Sequence, residues 1–407
     1  MRILLFHPWI KSKGGAEKLV LEYVKRSKHK IHILTWFYSP DRTYEEFRKY
    51  KIISIFPEIF DNISRAFLFR GAFFGIFGNL IKILKKEVIE KYDLVLISTS
   101  GIAETILLRA DRTNVPIVLY VHTPLRAAYK YDIIYNIRNR YKYKPLARLY
   151  YKAGIFIYNK MEKSAWKKVD FAIFNSRLSL KRALDKGLID EDRTKVIYPG
   201  VDINIKPGEY KDYFLYVGRF GEAKRQDVVL YAWKLFNKKY PEYKLVLAGN
   251  LENIKFYRKL HKIVEYFNLK NVIFVSNASS TMMNNLHSNA LCEIQVPFME
   301  DFGIAPLEAI VAAKPLIAVD SMGVLELIGN LPSIIKIRES IDKAELAKRL
   351  YKAMEEFVKN KDYYIDIAIE NMDYIRKLNL TWKRFTEEMD QTLEYIAELY
   401  QQESLLF

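Results

Sequence analysis

Short runs of β-branched and aromatic residues alternate with longer amphipathic stretches through the first half of the chain. RILLF, IHILT, DLVLIST, PIVLYVH and FAIFN are separated by segments such as AEKLVLEYVKR and ETILLRA. Near-continuous apolar runs of this length, divided by helical periods, predict parallel strand–helix–strand units with both sheet faces covered. After YPGVDINIKPGE, residues 198–209, the rhythm restarts with YFLYVG, KLVLAG, NVIFVS, LCEIQVP and PLIAV. The Pro- and Gly-bearing stretch between the two series reads as the linker. The expected fold class is therefore α/β, with two open domains of about equal size, residues 1–200 and 201–379. In open parallel sheets, ligands settle at the C-terminal ends of the strands, so a cleft facing both sheets is the expected site. From residue 340 onward no further strand is expected. The last stretch, WKRFTEEMDQTLEYIAELY, carries apolar residues near helical spacing, which predicts a helix over 380–407 that caps the second domain or crosses back to the first.

Composition narrows the class. The chain has 407 residues, half of them apolar, enough for two cores of ordinary size. It contains no low-complexity tract, which excludes a disordered or fibrous chain. The single cysteine, Cys292, excludes an internal disulfide and a cysteine-based zinc site, and points to a reducing compartment. A formal charge of +17 with 14% aromatic residues points to acidic or membrane-surface partners. The opening MRILLFHPW lacks the basic-then-apolar layout of a signal peptide. In the most apolar window, residues 66–84, Arg70 and Lys82 leave 11 uncharged residues between them. A bilayer span needs about 20. The expectation is a cytoplasmic protein, soluble or peripheral on the membrane.

Three loops carry candidate chemistry. HPWIKSKGGAEKL follows the first strand, and its Gly14-Gly15 pair permits either a tight strand–helix turn or a close approach to an anion. It is not the GxGxxG dinucleotide fingerprint, nor a Walker loop. In YVGRFGEAKRQDV, Arg219 and Lys224 follow a strand end, where a guanidinium fork and an ammonium suit a diphosphate. A solvated basic loop is the plain alternative. In LCEIQVPFMEDFGIAPLEAIVAAKPLIAV, a strand runs into Glu300, Phe302 and Gly303, with Pro306 at the helix start and Glu308 one turn inside. Gly303 and its neighbours would present bare amides to an anion. Two carboxylates flanking an anion cradle make electrostatic sense when they bind hydroxyls. Glu308 alone also reads as an acid favoured at a helix start.

The order of these features resembles the family 4 retaining glycosyltransferases. The shared marks are the GGAE loop, GR-x4-K at Arg219 and Lys224, the DFG-like bend, and the E-x7-E spacing of Glu300 and Glu308. FNSRLSLKRAL and VIYPGVD are similar to that family's late first-domain helix and linker, and YVHTPLRAAYKYD resembles a segment of its mannosyltransferase-like members. The resemblance implies the GT-B fold: two Rossmann-like doubly wound domains facing across a cleft, with the helical tail crossing back to the first. The first would be the acceptor side and the second the nucleotide-sugar donor domain.

The resemblance also implies roles. Arg219 and Lys224 would hold the donor diphosphate, and Glu300 would bind sugar hydroxyls. Phe302, Gly303 and Ile304 would supply amides, and Glu308 would grip the ribose. Gly15 would approach the donor phosphate, and His122 would lie against the sugar. By itself His122 reads equally well as a hydrogen-bonded histidine at a strand end, and His7 is weaker still. Ser276 stands where the family often has Gly, and VPFM lacks the family's serine. No Asp-x-Asp pair precedes a plausible acceptor strand, which agrees with a metal-independent enzyme without cofactor. The implied reaction moves a hexose, mannose from GDP-mannose first, to a glycan or lipid-linked acceptor. UDP-glucose is the alternative donor, and a nucleotide-sugar 2-epimerase the alternative reaction.

Residues 126–168 interleave Tyr with Arg and Lys and hold few acids. Such a stretch suits an anionic membrane surface, single-stranded nucleic acid, or two plain exposed helices. With a glycosyltransferase the membrane is favoured, and no nucleic-acid partner is expected. Residues 66–84 offer a second apolar contact or an ordinary buried helix.

Overall fold

The computed structural model describes residues 1–57, 82–139, 141–202 and 204–405. The chain divides into two compact units, Met1–Gly200 with Trp382–Phe407, and Val201–Thr381. Most of the apolar window, residues 66–81, lies outside the described residues.

The first unit is built on seven parallel strands. In spatial order they are Ile52–Ser54, Lys30–Thr35, Arg2–Phe6, Leu94–Thr99, Ile117–Val121, Phe171–Phe174 and Thr194–Val196. Leu94–Thr99 and Ile117–Val121 are buried along their whole length, because helices and loops cover both faces. The strand order reverses between Arg2–Phe6 and Leu94–Thr99, which makes the loops after those two strands the natural crevice.

The second unit has six parallel strands, in the order Val272–Ser276, Lys244–Gly249, Tyr213–Val217, Cys292–Gln295, Leu316–Val319 and Ile334–Ile337. Here the reversal falls between Tyr213–Val217 and Cys292–Gln295, so the loops 218–225 and 296–304 meet at the switch point. Helix Gln226–Asn237 buries eight of its twelve residues against this sheet. Phe214 anchors the contact, with Trp233, Phe236 and Phe357 rings edge-on to it at 5.8, 5.3 and 5.7 Å.

The tail helix Trp382–Leu405 belongs to the first unit. Phe385, Met389, Leu393, Ile396 and Ala397 form its buried stripe at helical spacing. Tyr23 Oη, from helix Gly15–Arg26, donates to Asp390 Oδ1 at 2.9 Å. Phe385 meets the Tyr120 ring edge-on at 5.7 Å.

One element differs from the sequence expectation. ETILLRA is not an amphipathic α-helix: Ala103–Arg109 is a 3₁₀ helix with five of seven residues buried. Glu104 within it accepts from Thr99 and Tyr158, and these tertiary bonds outweigh local propensity. Residues 126–168 fold as two helices, Lys130–Asn139 and Pro145–Trp166. The longer one buries Tyr151, Ile155, Tyr158, Glu162, Ala165 and Trp166, as an ordinary surface helix does. Its opposite face is not polar throughout, however. Leu146, Leu149 and Phe156 are 82%, 67% and 61% exposed, with Tyr150 and Ile157 beside them in the same stripe.

Candidate active site

In the second unit, the expected site residues gather on the two loops at the switch point. The loops are tied together by backbone and side-chain bonds. Phe298 N–H donates to Ala223 O at 2.8 Å, and Gln295 Nε2 donates to Val217 O at 3.0 Å. Gln226 Nε2 donates to the carbonyls of Gly218 and Arg219 at 3.2 and 2.9 Å, which fixes the backbone that carries Arg219. Gly249 is required beside this loop, since a Cβ there would lie 2.1 Å from Gly218 O. Tyr216 Oη, fully buried, donates to Lys224 O.

The side chains pair across the loops. Lys224 Nζ donates to Glu300 Oε2 at 2.8 Å. Arg219 Nη1 donates to Glu252 Oε1 at 3.0 Å, and both members of that pair are about half exposed. Both expected diphosphate cations thus carry carboxylate partners. Glu252 was missed in the sequence reading, because nothing marks it in NLEN as a partner of a loop 33 residues away.

Arg225, next to Lys224, plays a different part. It sits at φ +57° and is fully buried, with its guanidinium 4.6 Å from the Phe298 ring and bonded to Glu339 Oε1 at 2.6 Å. It braces the loops from beneath.

The third motif forms a turn closed by Gly303 at φ +92°. Glu300 O and Phe302 O accept from Gly323 and Val324 N–H at 2.9 and 3.1 Å, which holds the turn rigid. Among the described residues the N–H groups of Gly303 and Ile304 have no protein acceptor. The helix that follows, Ala305–Val311, has only seven residues. What this segment could offer an anion is therefore a few local amides.

Glu308 lies in its first turn, with Oε2 3.5 Å from His287 Nε2. His287 Nδ1 lies 2.6 Å from Glu293 Oε1. Neither His287 nor Glu293 was singled out from the sequence, although an acid inside the apolar run LCEIQVP was the available signal.

In the first unit, His7 and His122 end adjacent regions of the sheet and share one hydroxyl. Ser98 Oγ lies 3.0 Å from His7 Nδ1 and 2.9 Å from His122 Nε2. Burial pushes the His122 imidazole down to about 4. Burial and the neighbouring His122 push His7 down to about 3, although its bond to Ser98 opposes this. Both rings are neutral near pH 7, so His122 acts there as a hydrogen-bonding group and not as a cation. Gly15 begins the helix Gly15–Arg26, and a Cβ on it would meet nothing within 4 Å. A Cβ on Gly14 would lie 2.3 Å from Glu17 Oε2, the end of a side chain that would have to shift.

Among the described residues no group of three His, Cys, Asp or Glu side chains is placed to hold a metal ion. Among them, too, no helix is long and apolar enough to cross a membrane.

Known proteins resemble this chain over most of its length. The model for Glycosyltransferase Family 4 matches residues 13–205, and that for Glycosyl transferases group 1 matches residues 203–370. The human alpha-1,3/1,6-mannosyltransferase ALG2 is 25% identical over 388 residues, covering 84% of this chain and 86% of the relative. The glycosyltransferase MJ1178 of Methanocaldococcus jannaschii is 27% identical over 382 residues, covering 88% and 93%. Anabaena Alr3699/HepE, solved in complex with UDP and glucose, superposes with a TM-score of 0.67 at 15% identity, covering 97% and 99%. Two family models that together span residues 13–370, on a GT-B architecture, make this chain a member of the family 4 glycosyltransferases.

Proposed function

We propose that this chain moves mannose from GDP-mannose onto a hydroxyl of a lipid-linked glycan, with retention at the anomeric carbon and without a metal. The observation that carries the reading is one cluster in the second unit: the Lys224–Glu300 pair, the adjoining Gly303 turn, and Glu308 at the start of the next helix. Arg219 and Lys224 take the diphosphate, helped by the Gly303 and Ile304 amides, and Phe302 shapes the turn. Fixed cations and amides aimed at the leaving oxygens stabilise charge as it develops, the role a divalent ion fills in other transferases. Glu300 binds hydroxyls of the sugar and Glu308 those of the ribose.

In this reading no side chain attacks the sugar. The departing phosphate oxygen accepts the acceptor's proton on the same face, and the protein positions and stabilises. His122 and Gly15 enter through the family resemblance, His122 as a neutral hydrogen-bonding group. The mannose assignment is supported by the relatives named as mannosyltransferases.

The lipid-linked acceptor is supported by helix Pro145–Trp166. Its exposed stripe of Leu146, Leu149, Tyr150, Phe156 and Ile157 lies among Lys152, Lys160 and Lys163. Apolar side chains flanked by lysines suit the interface of an anionic membrane, and the enzyme is peripheral there.

A thermal-shift screen tests the donor, because a ligand that binds only the folded state raises the melting temperature. GDP-mannose is expected to stabilise more than UDP-glucose. The reverse order would transfer the assignment to a glucosyltransferase. Conversion of the nucleotide sugar without an acceptor would support an epimerase.

A further inference from the structure

A carboxylate inside a parallel sheet is costly, and the second unit holds one. Glu293 is the only acid among the residues of its six strands, and it is fully buried. Its strand neighbours in register are Leu215 and Leu316. Removing a carboxyl from water costs several kcal/mol unless it is paired, and an apolar residue at this position would avoid that cost. The Glu293 carboxylate has one hydrogen-bonding partner among the described residues, His287, which meets Oε1, and its Oε2 has none.

The three side chains form a line from core to site. Exposure rises from 0% at Glu293 through 2% at His287 to 19% at Glu308. The imidazole presents one nitrogen to each carboxylate, Nδ1 at 2.6 Å and Nε2 at 3.5 Å. Burial pushes the Glu293 carboxyl up, and the His287 imidazole beside it only partly opposes the rise. Besides a neutral imidazole that donates from Nδ1 to Glu293, two proton arrangements satisfy the 2.6 Å contact. Either His287 is an imidazolium that donates from both nitrogens, or a protonated Glu293 donates to Nδ1. Both leave Nε2 carrying hydrogen toward Glu308, because the remaining tautomer would set a bare nitrogen lone pair against a carboxylate. The two carboxylates together therefore favour hydrogen on Nε2, and Glu293 holds the ring that directs it at the carboxylate nearer the surface.

We infer that Glu293 and His287 are positioning residues that aim the Glu308 carboxylate at the donor's ribose. The inference rests on the assignment of Glu308 to the ribose, and the test separates the two.

The probes are GDP, which carries a ribose, and inorganic pyrophosphate, which does not, each titrated calorimetrically. Glu308→Ala is expected to weaken GDP about ten-fold and leave pyrophosphate nearly unchanged, the effect of losing a charged hydrogen bond. His287→Phe is expected to weaken GDP by a similar factor, again sparing pyrophosphate, and to add nothing in the Glu308→Ala background. His287→Gln, whose amide nitrogen reaches the place of Nε2, is expected to restore most of the affinity. Full GDP affinity in His287→Phe, with the Glu308→Ala loss intact, would overturn the relay and leave the ribose assignment standing. No GDP loss in Glu308→Ala would overturn the ribose assignment and the relay with it. Parallel loss of both ligands in His287→Phe, unrescued by His287→Gln, would show general damage and overturn the positioning role.

Discussion

Lys224 Nζ and Glu300 Oε2 are hydrogen-bonded at 2.8 Å across 76 residues of sequence. The group proposed to hold the leaving diphosphate and the group proposed to hold the sugar are thus partners before substrate arrives. Each holds the other oriented while waiting, so little reorganisation remains when a donor binds. Arg219 and Glu252 repeat the arrangement in a more exposed setting.

Two substitutions separate these roles. Glu300→Gln is expected to abolish transfer while nucleotide affinity stays nearly intact, because the amide keeps the shape and loses the charged hydroxyl contact. Full turnover in that variant would remove Glu300 from the sugar. Arg219→Ala is expected to cost about 1.5–3 kcal/mol of donor binding, measured by calorimetry. Unaltered donor affinity would place the diphosphate elsewhere.

The Gly249 position tests the loop that carries Arg219. An added methyl would lie 2.1 Å from Gly218 O, against backbone rather than a movable side chain. Gly249→Ala is expected to displace residues 218–219 and reduce donor affinity. The enclosing sheet costs stability too, about 1–3 kcal/mol by denaturant unfolding. A variant with wild-type donor affinity would mean that the loop tolerates the shift.

For the exposed stripe, the measurement is co-sedimentation with vesicles. Wild type is expected to pellet with anionic vesicles at low salt and to release as salt screens the lysines. Leu149→Glu with Phe156→Glu is expected to weaken pelleting strongly at unchanged melting temperature, since both positions are exposed. Equal binding to neutral vesicles, or an unaffected double variant, counts against this surface.

Stability should depend on pH through the buried histidines. His122 and His7 titrate near 4 and 3 in the folded chain and near 6.5 when unfolded. The unfolded state therefore takes up protons first, so their stabilisation is complete above pH 6.5 and is lost as pH falls from there toward 4 for His122 and 3 for His7. Burial pushes the Glu162 carboxyl up to about 7, which acts in the opposite direction over pH 7 to 4.5. The histidine share is isolated by comparison. His122→Gln is expected to lose less stability than wild type between pH 7 and 4.5 in urea unfolding. Identical losses would remove His122 from the pH response.

Much was readable because it is local. Strand runs such as DLVLIST and KLVLAG declare buried parallel strands by unbroken apolarity, and the linker near residue 200 is written in Gly and Pro. The short edge strands Thr194–Val196 and Ile52–Ser54 escaped notice, since three residues carry no period. The 3₁₀ segment Ala103–Arg109 was misread for the opposite reason: its apparent helical period yields to buried bonds from Thr99 and Tyr158.

By itself, the sequence determined the two α/β series, the helical tail and the loops that bear the motif residues, because those depend on periodicity and turn chemistry within a few positions. Tertiary structure alone decided who meets whom. Lys224 finds Glu300, Ser98 joins His7 to His122, and Glu293 reaches Glu308 through His287, because the strand order sets loops distant in sequence side by side. Burial then decided the charge states, since desolvation belongs to a position in the fold and not to a residue type.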